Sequence, residues 1–161
     1  MVQERARAHS QSPRGQKEEK LKFSRIYDSS STQEDIFSYI QQRGLERKQC
    51  IIAYGQTGSG KTWTMAGGEE PHSQGLMPRL LSVYLKQAEE NPECESAEVV
   101  VSAFEVYRER VIDLLSEDNC CVKANLFKFE PKSVQVSETK EIREIIGAIK
   151  ERRKVGDNAV N

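Results

Sequence analysis

The sequence predicts an α/β fold in which helices flank a layered sheet, and three observations lead to this prediction. A short apolar run at residues 50–54 is typical of a strand buried on both faces. This run leads directly into a glycine-rich turn at 55–60, after which a helix is expected to begin. Near the C-terminus, isoleucines recur at the spacing of one face of an amphipathic helix. They are Ile142, Ile145, Ile146 and Ile149.

Length and composition exclude several classes of protein. The 161 residues allow one domain of ordinary size or a fragment of a larger one. With 24 basic and 25 acidic residues the net charge is −1, which argues against a nucleic-acid binder. No apolar run approaches the roughly 20 residues of a membrane span, and none follows Met1 as a secretory signal would require. The four cysteines have no metal-ligand spacing, so we expect reduced thiols in an intracellular protein.

The N-terminal part of the chain predicts a leader followed by one strand and one helix. Residues 1–20 mix charges of both signs and bury little, so we expect a disordered leader. Alternating apolar residues over 21–28 indicate a short strand. Ser31 and Glu34 have the spacing of a capping box, and Gly44 is placed to end the helix that follows.

The part after the glycine-rich turn predicts helices at both ends and strands between them. A helix is expected to begin at Pro78 and to end at residues 91–92. Residues 99–106 have strand character, 111–115 suggest a helical turn, and 122–136 suggest a hairpin interrupted by Pro131. The final helix carries the four isoleucines, runs into basic residues at 152–154 and is expected to break at Gly156.

The glycine-rich turn fits the pattern G-x-x-x-x-G-K-[ST] at every fixed position, between a predicted strand and a predicted helix. Such loops turn successive backbone N–H groups inward around a phosphate. The Lys61 ammonium is expected to reach the β- and γ-phosphates, the Thr62 hydroxyl to help hold Mg²⁺, and the helix dipole to add positive potential. A purely structural glycine turn is the alternative. The candidate phosphate-binding residues are Gly55, Gln56, Thr57, Gly58, Ser59, Gly60, Lys61 and Thr62.

Glu105 is a candidate second acidic group for such a site. A P-loop enzyme needs an aspartate near the metal, and Glu105 follows the one apolar strand after the loop that ends in an acid. A glutamate beside an aromatic strand end is more often structural, and we favour that interpretation.

Residues 52–65, which contain this loop, closely resemble the P-loop of the kinesin motor domain. Stretches at 23–37, 75–79, 104–115 and 155–161 are similar to others of that family, in the same order. The resemblance covers residues 21–161 and implies an incomplete kinesin motor domain, with the layered sheet and flanking helices of a P-loop NTPase. It also assigns Glu105 to a structural strand. Trp63 occupies a position beside the adenine in the family, and a core aromatic is the alternative interpretation of this residue.

The resemblance implies ATP and Mg²⁺ as cofactors, microtubule-stimulated ATP hydrolysis, microtubule-based movement, tubulin as partner, and a cytoskeletal location in the cytoplasm. The family's first adenine-seating strand and both of its switch motifs are not found in this sequence, so we assign no catalytic residue and do not expect turnover by this chain alone. A non-catalytic nucleotide-binding or cytoskeletal module is the alternative function. A small P-loop kinase is a third, although no arginine-bearing lid stands out. Without neighbouring strands, residues 50–54 would leave an exposed edge, and the isolated chain is then expected to be marginally stable.

Three lysines, Lys123, Lys128 and Lys132, lie where the resemblance would place a minor microtubule-contact loop. Solvated surface charge is the alternative and favoured interpretation of each, because scattered lysines are ordinary on protein surfaces.

Overall fold

The computed structural model describes residues 6–7, 22–44, 48–90, 97–107, 110–117, 121–123 and 129–158. The chain divides into two compact units, residues 1–48 and residues 49–161. The predicted leader lies outside the described residues except for Ala6–Arg7, which forms a two-residue strand.

Among its described residues, the first unit contains one helix and one short antiparallel strand pair. Strand β1 (Ala6–Arg7) pairs with β2 (Lys22–Phe23), so the strand predicted over 21–28 is shorter than expected. Helix α1 (Gln33–Gln41) buries Phe37 on one face. Gly44 adopts a left-handed conformation (φ +86°) and its amide donates to the carbonyl of Gln41, which closes the end of the helix as predicted.

A capping box begins α1 one residue later than predicted. The Thr32 hydroxyl accepts the amide of Asp35 at 3.2 Å, and the Asp35 carboxylate accepts the amide of Thr32 at 2.8 Å. The prediction of Ser31 and Glu34 is therefore wrong. The reason is that Ser31 belongs to the preceding turn, where its hydroxyl donates to Asp28 and accepts the amide of the same residue.

The second unit holds three α-helices among its described residues: α2 (Lys61–Met65), α3 (Leu76–Glu89) and α4 (Thr139–Asn158). A short 3₁₀ turn, Pro71–Ser73, lies between α2 and α3. Helix α3 begins at Leu76, two residues before the predicted start at Pro78. Pro78 fits in the first turn of the helix, because the backbone N–H groups of that turn make no intrahelical hydrogen bond. Helix α4 continues past residue 156, so the predicted break at that glycine is wrong.

The strands of the second unit form two small antiparallel sheets. In one sheet β3 pairs with β7, and in the other the order is β4, β5, β6. The strands are β3 (Val99–Ser102), β4 (Phe104–Tyr107), β5 (Arg110–Asp113), β6 (Cys121–Lys123) and β7 (Ser133–Val136).

Three strand predictions need correction. The strand expected over 99–106 is two strands, because the chain changes sheets at Ala103. The helical turn expected over 111–115 is instead β5, whose ladder with β4 satisfies the backbone that a helix would have satisfied. The hairpin expected over 122–136 does not form between its own strands, since β6 pairs with β5 and β7 pairs with β3.

A hydrophobic core joins α3 and α4 to the β3–β7 sheet. The isoleucines predicted to line one face of α4 are all buried, which confirms that face; Ile142 is only 1% exposed. Burial of a side chain of this size contributes roughly 1.5–3 kcal/mol. The buried core residues are Ala66, Leu85, Leu114, Val136, Ile142, Ile145, Ile146 and Ile149.

Asp113 ties the end of β5 to the chain that precedes β7. Asp113 is 4% exposed, and its carboxylate accepts the amides of Leu115 (2.8 Å), Ser116 (3.0 Å) and Lys132 (2.6 Å). Burial alone would raise the pKa of Asp113, but the three amides, with Arg152 nearby, outweigh burial and lower that pKa. Asp113 is therefore an ionised, fully bonded structural group.

Residues 50–54, predicted as a buried strand, are neither a strand nor buried. The segment has no ladder partner among the strands that the structure describes, and Ile52 and Tyr54 are 79% and 98% exposed. The apolar pattern is the one expected of a buried strand, but a strand requires neighbours to pair with and to cover its faces.

Candidate nucleotide-binding site

The glycine-rich loop between residues 55 and 60 is shaped by left-handed backbone conformations. Gly58 has φ +80° and Gly60 has φ +87°, values that L side chains rarely adopt. A Cβ added to either glycine would meet nothing within 4 Å. The requirement for glycine at both positions therefore comes from the backbone conformation and not from lack of space.

The loop also folds back on its own beginning. The amide of Ser59 donates to the carbonyl of Gln56 at 3.2 Å. A Cβ added to Gly55 would lie 2.5 Å from Ser59 Oγ, so the start and end of the loop approach each other closely. Gln56 and Thr57 form the exposed outer bend of this turn.

Lys61 closes the loop. Its Nζ donates to the carbonyl of Gly55 at 2.9 Å and to that of Gln56 at 2.7 Å. The side chain therefore reaches back over the turn and places a positive charge beside the loop. A phosphate oxygen, being charged, is a stronger acceptor for this ammonium than either carbonyl.

Helix α2 presents Thr62 and Trp63 directly after the loop. The helix is five residues long, so its dipole is smaller than the sequence led us to expect. The Thr62 side chain is exposed. Trp63 is 55% exposed and its ring lies near Gly68, where an added Cβ would be 3.5 Å from the ring, so the interpretation of Trp63 as a core aromatic is wrong.

A cavity of about 400 Å³ lies between α2 and α4, beside the loop. Its walls include Thr62 and Trp63 from α2 and the apolar Ile146 from α4, and α4 also contributes two cationic side chains, Lys150 and Arg153. Within the described ranges, no group of three or more His, Cys, Asp or Glu side chains is arranged to hold a metal ion.

Two cationic residues that the sequence analysis did not single out hold the segment after α2. Lys150 Nζ donates to the carbonyl of Gly67 at 2.7 Å, and Arg79 Nε donates to that of Gln74 at 2.9 Å. The sequence contained a signal for Lys150, because it follows Ile149 and lies four residues after Ile146 on the apolar face of α4.

The remaining candidate residues do not join the loop. Glu105 lies in β4 opposite Ile112, in a strand, as the family resemblance predicts. Lys132 donates its amide to Asp113, and its side chain forms an exposed ion pair with Glu117 at 3.9 Å. The side chains of Lys123 and Lys128 lie outside the described part of the chain.

Left-handed glycines, a lysine folded over the turn and a helix that starts with Lys61 define an α/β protein of the P-loop class. The family model of the kinesin motor domain matches residues 1–161, and the chain belongs to that family. Kinesin-like protein 3 of Schizosaccharomyces pombe is 35% identical over 151 residues, which cover 86% of this chain and 27% of the relative.

Solved structures support the same fold. A structure of a fast kinesin, described for its ATPase mechanism and its interactions with microtubules, superposes with a TM-score of 0.73 at 26% identity. The superposition covers 89% of this chain and 44% of that structure. The structure of Drosophila Kin10/NOD in complex with divalent manganese and ADP superposes with a TM-score of 0.67 at 22% identity. That superposition covers 83% of this chain and 50% of the Kin10/NOD chain.

These comparisons confirm the predicted α/β fold and the resemblance to the kinesin motor domain. The chain spans about a quarter of the yeast relative and half or less of these two solved motor domains. Among the described residues, no helix combines the length and the apolar character that crossing a membrane requires.

Proposed function

We propose that this chain is the nucleotide-binding part of a kinesin motor domain and that residues 55–62 bind the phosphates of ATP. Backbone amides from 58–62 surround the β- and γ-phosphates, and the Lys61 ammonium pairs with them. Trp63, on the first turn of α2, flanks the adenine. The exposure of Trp63, 55%, supports this role, because a ligand can reach an aromatic side chain that is in contact with solvent.

The observation that carries this proposal is the position of Lys61. Its ammonium lies over the turn and is held by two carbonyls at the loop's start, at 2.9 and 2.7 Å. A triphosphate entering the loop can exchange those carbonyls for charged oxygens while the lysine stays on the same side of the turn.

The residues of the loop also fit a magnesium ion. Thr62 directly follows Lys61 and is an exposed residue, so it is accessible to a metal bound to the phosphates. When bound, Mg²⁺ would neutralise charge on the β- and γ-phosphates. A hydroxyl oxygen is among the hard ligands that Mg²⁺ accepts.

In the complete motor domain we infer that this site serves microtubule-stimulated ATP hydrolysis and microtubule-based movement, with tubulin as partner and the cytoplasmic cytoskeleton as location. Membership of the kinesin family supports this inference. One observation favours the alternative, a non-catalytic nucleotide-binding module. Tyr54, immediately before the loop, is 98% exposed, and residues 50–54 pair with none of the strands that the structure describes.

A titration with a fluorescent ATP analogue in the presence of Mg²⁺ tests the phosphate site. We expect the unsubstituted chain to bind and Lys61→Ala to weaken binding by more than about tenfold, because a charge-assisted hydrogen bond is worth roughly 1.5–3 kcal/mol. Lys86→Ala is the matched control, since Lys86 forms an exposed ion pair with Glu90 on α3. Equal binding by the Lys61 variant and the unsubstituted chain would contradict the proposed site.

Phosphate release with and without microtubules separates the two functions. Release that microtubules stimulate supports the motor function. Binding of the analogue without any release, with microtubules present, supports the non-catalytic module.

A further inference from the structure

Lys150 connects α4 to the end of the P-loop helix α2. It lies 83 residues from Gly67 in sequence, yet its Nζ donates to the Gly67 carbonyl at 2.7 Å in a partly buried position. The neighbours of Lys150 on α4, Ile146 and Ile149, are buried in the core and hold this face of the helix in place. The lysine is therefore a fixed donor on a rigid helix.

Gly67 is in turn bonded to Thr62. The amide of Gly67 donates to the carbonyl of Thr62 at 3.2 Å, and the amide of Ala66 donates to the same carbonyl at 2.8 Å. These two bonds form the last turn of α2. The next amide, that of Gly68, donates to the carbonyl of Ser73 at 2.9 Å, so the Gly67–Gly68 peptide is held on both of its polar sides.

The Thr62 carbonyl is therefore held by the Gly67 amide, and the Gly67 carbonyl is held by Lys150. Thr62, Gly67 and Lys150 line the same cavity of about 400 Å³ between α2 and α4. Helix α2 has only five residues, so few other bonds fix its orientation. A cation at the C-terminal carbonyls of a helix is also favourable in its own right.

We propose that Lys150 is a positioning residue for the magnesium-dependent part of nucleotide binding. It holds the end of α2, and through α2 the position of Thr62 relative to the metal, and it links α4 to the residues that follow α2. This inference rests on the proposed function. Its specific consequence is that loss of the lysine weakens nucleotide binding in Mg²⁺ and leaves metal-free binding unchanged.

The test is a titration of the full chain with a fluorescent ATP analogue, once with Mg²⁺ and once with EDTA. For Lys150→Met we expect a nucleotide affinity about tenfold lower in Mg²⁺ and an unchanged affinity in EDTA. A loss of this size is typical when a residue that orients a metal ligand is removed. Lys150→Arg, which keeps a cationic donor, is expected to restore most of the affinity. The matched control is Lys140→Met, since Lys140 lies on α4 in an exposed ion pair with Glu144.

A second measurement does not depend on nucleotide. Hydrogen exchange of the amides of Ala66 and Gly67 is expected to be faster in Lys150→Met than in the unsubstituted chain, and unchanged in Lys140→Met. Unchanged exchange at both amides would overturn the proposed tether even if the variant binds nucleotide weakly.

The outcomes separate this inference from the proposed function. If the unsubstituted chain binds no nucleotide, the proposed function and the inference both fail. If it binds with a dependence on Mg²⁺ that Lys150→Met preserves, the inference fails alone. Equal weakening in Mg²⁺ and in EDTA also overturns it, because the lysine would then support the fold of the loop in general and not the metal-binding hydroxyl.

Discussion

Two apolar segments of the second unit differ in their exposure to solvent: one is buried and the other is exposed. The face of α4 that carries Ile142 is buried against α3 and the β3–β7 sheet, and Ile142 is 1% exposed. The segment that leads into the P-loop is just as apolar, yet Ile52 is 79% exposed and Tyr54 is 98% exposed. Burial is therefore decided by the presence of a partner surface, because a side chain leaves water only where another element covers it.

The same contrast divides the polar groups. The Asp113 carboxylate is buried and accepts three amides, so it links segments that lie far apart in sequence. Lys61, beside the exposed lead-in, bonds only to carbonyls of its own loop among the described contacts. The phosphate loop keeps its shape through local bonds, whereas the core keeps its shape through bonds between elements.

The sharpest test of the contrast makes one substitution in both segments. Ile142→Ala is expected to lower the free energy of unfolding by about 2–5 kcal/mol, because it leaves a cavity in the core. Ile52→Ala is expected to change that free energy by no more than about 0.5 kcal/mol, because its side chain is already in water. Urea denaturation followed by circular dichroism measures both.

Ile142→Val keeps this test informative if the alanine variant does not fold, since that change costs only about 0.5–1.5 kcal/mol. A loss at Ile52 equal to the loss at Ile142 would contradict the contrast, since it would mean that the lead-in packs against the fold.

The second prediction concerns the buried carboxylate. Asp113→Asn is expected to lower the free energy of unfolding by about 1–3 kcal/mol, because the amide that replaces one oxygen cannot accept a backbone N–H. Glu117→Gln is the control: it also removes one carboxylate, but from an exposed ion pair with Lys132 that is worth at most about 1 kcal/mol. Urea unfolding near neutral pH measures both variants.

The pH dependence gives the same residue a second test. Bonding to amides holds the pKa of Asp113 below its unfolded value of about 3.9, so its contribution to stability is complete above that pH. The contribution is lost as pH falls through the folded pKa. Stability of Asp113→Asn should therefore fall less steeply below about pH 4 than stability of the unsubstituted chain. Parallel acid profiles would show that the fold does not lower the pKa of Asp113.

Periodicity predicted the helices well and the strands poorly. The isoleucines of α4 indicated a buried face because each contributes to a pattern that one helix completes by itself. Residues 111–115 were expected to be helical, yet 111–113 lie in β5, since their conformation is set by pairing with β4. Sequence pattern carries no information about which strand will lie beside another, so the sheet partners could not be foreseen.

The site divides in the same way. The shape of the glycine-rich loop could be predicted because it depends on glycines and on a lysine within a single stretch, at Gly58, Gly60 and Lys61. Its binding of phosphate stays a prediction. Lys150 was not singled out, because its role depends on a contact with Gly67 that only the folded chain creates. The motif therefore predicts the local geometry of the loop, but it does not predict a contact with a helix that is distant in sequence.

The smallest expected effect on stability belongs to the lead-in itself. In the double variant Ile52→Ser and Tyr54→Ser, the free energy of unfolding should change by no more than about 0.5 kcal/mol, since both side chains are exposed. Self-association should nevertheless decrease, because an apolar segment that pairs with none of the described strands is a template for pairing with another chain. Sedimentation velocity measures the monomer fraction.

The control is Val100→Ser, which also removes an exposed apolar side chain, 53% exposed, but from strand β3. Because the backbone of β3 is already paired with β7, this variant should leave self-association unchanged. If Val100→Ser raises the monomer fraction as much as the double variant, general surface hydrophobicity is the cause, and the unpaired backbone of the lead-in is not.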